Sequence, residues 1–98
     1  MATILPFPAR KPAPASELTA DECRTVHEEA YALMQRGRVT GVSQHADGMY
    51  MCIFDRGGEP YFIGREDGVC YLFDPAGAFV VRSTRFEIVV DALNEALG

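Results

Sequence analysis

The sequence predicts an α+β fold in the order helix, five strands, helix. Two stretches carry apolar residues at helical spacing, and each opens with a capping-box pattern. Between them, four turn signals separate short runs rich in β-forming residues. The chain has 98 residues, 48% of them hydrophobic, which is enough for one hydrophobic core. We therefore expect a tail at residues 1–15 and a single domain at residues 16–98.

The N-terminal tail is rich in proline, with Pro6, Pro8, Pro12 and Pro14. Proline lacks a backbone donor and biases the residue before it toward extended backbone, so residues 1–15 read as a polyproline-like segment. Within it, Ile4 to Pro8 could serve as a short docking peptide. The simpler alternative is an unanchored terminus.

The first helix is expected over residues 20–36. Thr19 and Glu22 form a capping box, in which each side chain satisfies a backbone N–H of the other residue. Leu18 and Cys23 have the spacing of a hydrophobic staple, and Gly37 supplies the stop.

Five strands follow in a meander, at residues 39–46, 49–56, 59–66, 69–74 and 78–83. The connections are predicted as two-residue turns at Asp47-Gly48, Gly57-Gly58 and Asp67-Gly68, and as a three-residue loop after Asp74. The last helix is expected to open at Thr84, with Glu87 completing a second capping box.

The turn types fix which residues lie opposite each other, and so which share a face. They place four apolar residues in one row: Ile53, Phe62, Phe73 and Phe79. We expect this row to be the core, with both helices packed over it. The alternative places one helix on each face of the sheet.

The other face of the predicted sheet is mixed in character. Its apolar row is Cys52, Ile63, Leu72 and Val80, its aromatic corner is Phe54 and Tyr61, and its polar row is His45, Tyr50, Arg65, Cys70 and Arg82. The apolar area of this face is near the largest that a monomer usually leaves exposed, so we expect a second copy, a partner protein, a ligand or the proline-rich tail to cover it. The candidate interface residues are Phe54, Tyr61, Ile63, Leu72 and Val80.

The most specific candidate for a chemical site is a cluster in which Cys70 lies between Arg65 and Arg82 on neighbouring strands. Two guanidinium groups would favour a thiolate, or would clamp a carboxylate or phosphate. Tyr50 and His45 complete this candidate ligand site. The competing interpretation is an inert sheet cysteine between solvated arginines.

Charge and composition exclude several functional classes. Residues 16–98 hold seven basic and fourteen acidic residues, a formal charge of −7, which disfavours nucleic-acid binding. The three cysteines are odd in number and lack any C-x-x-C or histidine-paired metal spacing, which fits reduced thiols in the cytoplasm better than a disulfide framework. No apolar run is long enough to span a membrane.

No catalytic or cofactor motif emerges, because the two histidines lack metal spacing and no glycine-rich loop opens a helix. We therefore expect a small non-enzymatic interaction module that binds itself, as a homodimer, or another protein. The alternatives are a small-anion-binding or thiol-dependent protein, and an acidic inhibitor or antitoxin-like protein.

Overall fold

The five strands form one open antiparallel sheet, described by a computed structural model for residues 16–45 and 50–98. The elements in chain order are α1 (Ala20–Gln35), β1 (Val39–Gln44), β2 (Tyr50–Asp55), β3 (Pro60–Glu66), β4 (Val69–Phe73), β5 (Phe79–Ser83) and α2 (Phe86–Leu97). Strand order follows the sequence, so the sheet is a meander and the predicted α+β class is confirmed. The predicted tail and the Asp47-Gly48 turn lie outside the described residues.

Helix α1 begins and ends as its sequence predicts. The Thr19 hydroxyl accepts the Glu22 N–H at 3.1 Å, and a Glu22 carboxylate oxygen accepts the Thr19 N–H at 2.9 Å. At the other end, Gly37 takes a φ of +74°, and the Arg38 N–H reaches back to the Leu33 carbonyl at 2.9 Å. A left-handed residue at this position is what glycine permits most readily.

Helix α2 begins differently from the prediction. Its N-cap is Arg85, whose side chain makes no capping hydrogen bond, so the predicted capping box of Thr84 and Glu87 is wrong. The Ser83 hydroxyl accepts the Arg85 N–H at 3.0 Å, which places Thr84 in a bend before the cap position. The helix therefore starts one residue too late for the threonine to act.

Both helices pack on the same face of the sheet, which excludes the alternative with one helix on each side. We call this side the covered face; its strand residues are Met51, Ile53, Tyr61, Ile63, Arg65, Cys70, Leu72 and Val81. The helices contribute Val26, Ala30 and Leu33 from α1 and Val89, Leu93 and Leu97 from α2. The predicted row of three phenylalanines lies on the opposite side, so the expected choice of core face is wrong.

One cause is the loop after β2. The Asp55 N–H donates to the Glu59 carbonyl at 2.8 Å, which leaves a three-residue loop at positions 56–58 instead of a two-residue turn. Ile53 therefore pairs with Tyr61 and not with Phe62. Because side chains alternate along a strand, this slip of one residue moves Ile53 to the covered face.

The second cause is an extra residue in β5. Phe73 pairs with Phe79 as predicted, but Leu72 pairs with Val81, so Val80 is a bulge residue. The bulge lets Phe79 and Val81 point to opposite faces. It also sets Arg82 opposite Tyr71, whereas the prediction set Arg82 opposite Cys70.

Both three-residue loops use the same device. An Asp55 carboxylate oxygen accepts the N–H groups of Gly57 and Glu59, each at 2.9 Å. Asp74 does the same for Ala76 and Ala78, again at 2.9 Å. Each loop has a glycine with positive φ three residues after its aspartate. The Asp67-Gly68 connection is a true two-residue turn, as predicted, with both residues at positive φ.

Candidate functional site

The face of the sheet opposite the helices carries most of the aromatic side chains of the strands. We call it the open face; its residues are His45, Tyr50, Cys52, Phe54, Phe62, Val69, Tyr71, Phe73, Phe79 and Arg82. In the described part of the chain, neither helix lies over it. An aromatic surface left uncovered in this way is the most distinctive feature of the molecule.

One aromatic group lies at the β1–β2 side of the open face. The His45 and Tyr50 rings lie with their centroids 4.0 Å apart, and Tyr50 meets Phe62 edge-on at 5.7 Å. The backbone fixes this arrangement, because the His45 N–H donates to the Tyr50 carbonyl at 3.2 Å.

A second aromatic group lies at the β4–β5 side. Tyr71 and Phe73 have ring centroids 5.1 Å apart, and Phe73 stacks on Phe79 at 4.3 Å. The Arg82 guanidinium lies 4.5 Å above the centre of the Phe79 ring, within the range of a cation–π contact. Phe79 is still 51% exposed, so the stack ends at solvent.

Gly64 separates the two aromatic groups. It pairs with Tyr50 on one side and with Tyr71 on the other, and it is buried although it has no side chain. A nearby depression is lined by Ser16, Tyr50, Arg65, Glu66 and Tyr71, so it reaches from the open face to the edge of the covered face. A neighbouring groove runs along β4 and β5, lined by Glu66, Asp67, Val69, Tyr71, Phe73, Phe79, Arg82, Ser83 and Thr84. Glu66 and Tyr71 belong to both, so the two hollows adjoin.

The polar groups of this region include both a hydrogen-bond donor and acceptors. Burial raises the pKa of Tyr71, and the negative charge of Glu66 raises it further, so its phenol stays protonated and able to donate. Among the described residues that line the groove, Glu66 and Asp67 supply two carboxylates and Arg82 supplies one guanidinium.

The structure divides the predicted ligand site between the two faces. Arg65 and Cys70 lie on the covered face, whereas Arg82, Tyr50 and His45 lie on the open face. Cys70 is fully buried. Burial raises the pKa of Cys70 more than the charge of Arg65 lowers it, so the expectation that two guanidinium groups favour a thiolate is wrong. The bulge at Val80 is the physical reason why Arg82 does not lie beside Cys70, because it places Arg82 on the open face.

Arg65 instead fastens helix α1 to β3. Its two terminal nitrogens donate to the two carboxylate oxygens of Glu22, each at 2.7 Å, and one also donates to the Glu17 carbonyl at 3.0 Å. Only 11% of the Arg65 side chain and 18% of that of Glu22 are exposed. Burial raises the pKa of Glu22, but hydrogen bonds from Arg65 and Thr19 outweigh it, and the pKa falls below its ordinary value.

The predicted interface residues are likewise divided. Ile63 and Leu72 are fully buried beneath the helices, and Tyr61 is half-buried against the same core, so their expected outward placement is wrong. Phe54 lies half-buried on the open face, and Val80 is 42% exposed at its bulge. Four residues of the open face were not predicted to lie at the surface: Phe62, Tyr71, Phe73 and Phe79. The aspartate three residues before the glycine in both loops was the signal that could have found them.

Metal binding and membrane insertion find no support in residues 16–45 and 50–98. No cluster of three metal-ligating side chains occurs in these two segments. Neither of their helices combines the length and the apolar character that crossing a membrane requires. Comparisons of the chain with protein-family models, with characterised proteins and with solved structures find no match.

Proposed function

We propose that this protein is a non-enzymatic interaction module that binds an extended segment of polypeptide on its open face. The observation that carries the proposal is the aromatic surface that neither described helix covers. Aromatic side chains offer large apolar area with few rotatable bonds, which is why they dominate binding surfaces.

The shape of the face favours an extended ligand over a helix. Tyr50 and Tyr71 lie on strands two positions apart, about 9.6 Å between backbones, on either side of the buried Gly64. A helix with its side chains is about 10–12 Å across, which is wider than this spacing. An extended chain is narrower and can lie along the two adjoining hollows.

The charge of the groove favours protein over nucleic acid. Aromatic sheet faces also stack nucleobases, but they do so beside basic side chains that neutralise phosphates. Among the described residues that line the groove, Glu66 and Asp67 are acidic and Arg82 is basic. This net negative charge would repel a phosphate backbone, whereas it would not repel a neutral or basic peptide.

A single fluorophore tests the proposal, because the chain contains no tryptophan. Phe79→Trp places an indole on the open face, and Tyr31→Trp is the matched control on the outer side of α1, where Tyr31 is 57% exposed. Acrylamide quenching of each variant is measured while decaproline, an amphipathic helical peptide or more of the chain itself is added.

We expect the extended peptide to protect the reporter at position 79 and leave the control at position 31 unchanged. The proposal fails if the position-79 indole stays as accessible as the control under every condition, or if only the helical peptide protects it. Far-UV circular dichroism verifies that both variants are folded.

A second candidate function is self-association through β5. This strand is an edge of the sheet, and the apolar Val80 and Ile88 are exposed beside it, 42% and 37% respectively. They line a groove with Val81, Ala92 and Ala96, so edge pairing with a second copy would cover apolar surface. Sedimentation equilibrium of the wild type, Val80→Glu and the control Tyr31→Glu tests this. Dissociation by Val80→Glu alone supports it, and a monomeric wild type contradicts it.

A further inference from the structure

We infer that the ligand of the open face is the chain's own proline segment, defined as residues 4–14 (ILPFPARKPAP). This inference rests on the proposed function and names the occupant of the same surface. Four independent features converge on it: the place where the described chain begins, the reach of the segment, its chemistry and its charge.

The described chain begins beside one end of the open face. Ser16, the first described residue, lines a depression together with Tyr50 and Tyr71 of the open face and Arg65 of the covered face. The adjacent Glu17 is held in place, since its carbonyl accepts a hydrogen bond from Arg65 at 3.0 Å. The proline segment is therefore joined through Ala15 to a residue that is held next to this end of the aromatic surface.

The proline segment is long enough to cross the face. In a polyproline II conformation residues 4–14 would extend about 34 Å, at about 3.1 Å per residue. Five strands at about 4.8 Å spacing span only about 19 Å. The segment can therefore pass from the depression beside Ser16 to the Phe73–Phe79 stack without straining its connection to Ser16.

The chemistry of the segment suits an aromatic groove. Proline rings pack on aromatic faces, and a preformed polyproline II helix loses little conformational freedom when it binds. The carbonyls of a polyproline II helix have no internal partners, and Tyr71, which lines both hollows, has a protonated hydroxyl that can donate to one. Phe7 adds a ring to the segment, and Ile4 and Leu5 add aliphatic area.

The charges are complementary. The tail through residue 15 holds Arg10 and Lys11 and no acidic residue, whereas residues 16–98 carry −7. Glu66 and Asp67 stand at the rim of the groove. Opposite charges on a tethered segment and its groove favour binding in one orientation.

Tethering makes even a weak contact effective. A short linker gives an effective concentration of millimolar order, so a segment with a dissociation constant of about 1 mM would occupy about half of the molecules or more. The proline segment would then occupy the open face in the absence of a partner, and a partner's proline-rich peptide would have to displace it.

The Phe79→Trp reporter in the full chain tests this occupancy. Its acrylamide quenching is compared between the native tail and a tail with Pro6→Gly, Pro8→Gly, Pro12→Gly and Pro14→Gly. The matched control, with Ala2→Gly, Thr3→Gly and Ala15→Gly, adds glycine outside the proline segment. Tyr31→Trp again reports on surface away from the face.

We expect quenching at position 79 to be about twofold or more weaker with the native tail than with the four-glycine tail. The control tail should behave as the native one, and the reporter at position 31 should not respond. A synthetic peptide of residues 4–14, added to the four-glycine chain, should restore the protection.

Two results would overturn the inference and leave the proposed function standing. One is a position-79 indole that is exposed with the native tail yet protected by decaproline. The other is protection that survives the four-glycine tail unchanged. If no tail, no added peptide and no protein concentration protects the indole, the inference and the proposed function both fail.

Discussion

The two faces of the sheet share the same strands and differ in what buries them. On the covered face, Met51, Ile63 and Leu72 lie side by side and are fully buried by helices. On the open face, Phe62 and Phe73 are half-buried and Phe79 is half exposed, although each ring carries more apolar area. Apolar area alone therefore does not decide which face becomes the core. The aliphatic side chains of the covered face pack against the helices. On the open face, the Tyr, His and Arg side chains among the phenylalanine rings keep their polar ends in water.

The largest expected effect comes from adjacent residues that point to opposite faces. Leu72→Ala should cost about 3–4 kcal/mol, because it empties a fully buried site under the helices. Phe73→Ala should cost only about 1–2 kcal/mol, mainly its stacking with Phe79 and Tyr71. Urea unfolding of both variants measures the difference. Equal losses, or a larger loss for Phe73→Ala, would reverse the assignment of the faces.

The next effect tests what holds helix α1 to the covered face. Glu22→Gln leaves the Arg65 guanidinium mostly buried without its counter-ion, so we expect a loss of about 2 kcal/mol at pH 7. Urea unfolding against pH measures it, with Glu28→Gln, on an exposed part of α1, as the control.

The pH dependence of that loss has a defined sign. In the folded protein the pKa of Glu22 lies below its ordinary value of 4.5. Its contribution is therefore fully present above pH 4.5 and disappears as the pH falls through the folded pKa. The gap between wild type and Glu22→Gln should narrow over that interval. A gap that is constant with pH would show that the carboxylate charge is not what matters.

A smaller effect concerns the loop that decides the register of β2. Asp55→Ala removes the acceptor of two backbone N–H groups in a solvent-accessible loop and should cost about 1 kcal/mol. Asp74→Ala should cost the same, because its loop is built alike. Asp55→Asn retains one acceptor oxygen and should stay near the wild type in thermal unfolding. If Asp55→Asn and Asp55→Ala were equally destabilised, the acceptor role would be refuted.

The smallest expected effect is a difference between the alkylation rates of two thiols in the folded wild type. Cys52 lies on the open face and is 6% exposed, whereas Cys70 is fully buried on the covered face. Burial raises the pKa of both thiols. We expect a small alkylating reagent to modify Cys52 first and Cys70 only when the molecule unfolds. Mass mapping after timed labelling gives the order, and earlier modification of Cys70 would contradict the face assignment.

Local signals predicted the elements and missed the faces for a physical reason. Capping at Thr19, the stop at Gly37 and the turn at Asp67-Gly68 depend on neighbouring residues only. The face of each strand depends on single-residue differences: the loop after Asp55 is one residue longer than assumed, and Val80 is one residue extra. Since side chains alternate along a strand, each one-residue difference exchanges the faces of the residues on one side of it relative to those on the other side.

The candidate site inherited this error. Phe62, Phe73 and Phe79 were correctly grouped on one face, but that face was taken as the core. The role of Arg65 was beyond local reasoning, because its partner Glu22 lies 43 residues earlier in the chain and comes to it only through the tertiary fold.

That separation has a consequence for the order of folding. Every strand pairs with its neighbour in sequence, so the sheet can grow by closing short loops. The Arg65–Glu22 pair is different, because it requires α1 to return across β1 and β2 before it can form. We expect α1 to dock after the central hairpins, so that Glu22→Gln accelerates unfolding in stopped-flow experiments while folding keeps its rate. A slowed folding phase would instead place the helix in the nucleus. Among the described elements, the first helix in the sequence would then be among the last to reach its native place.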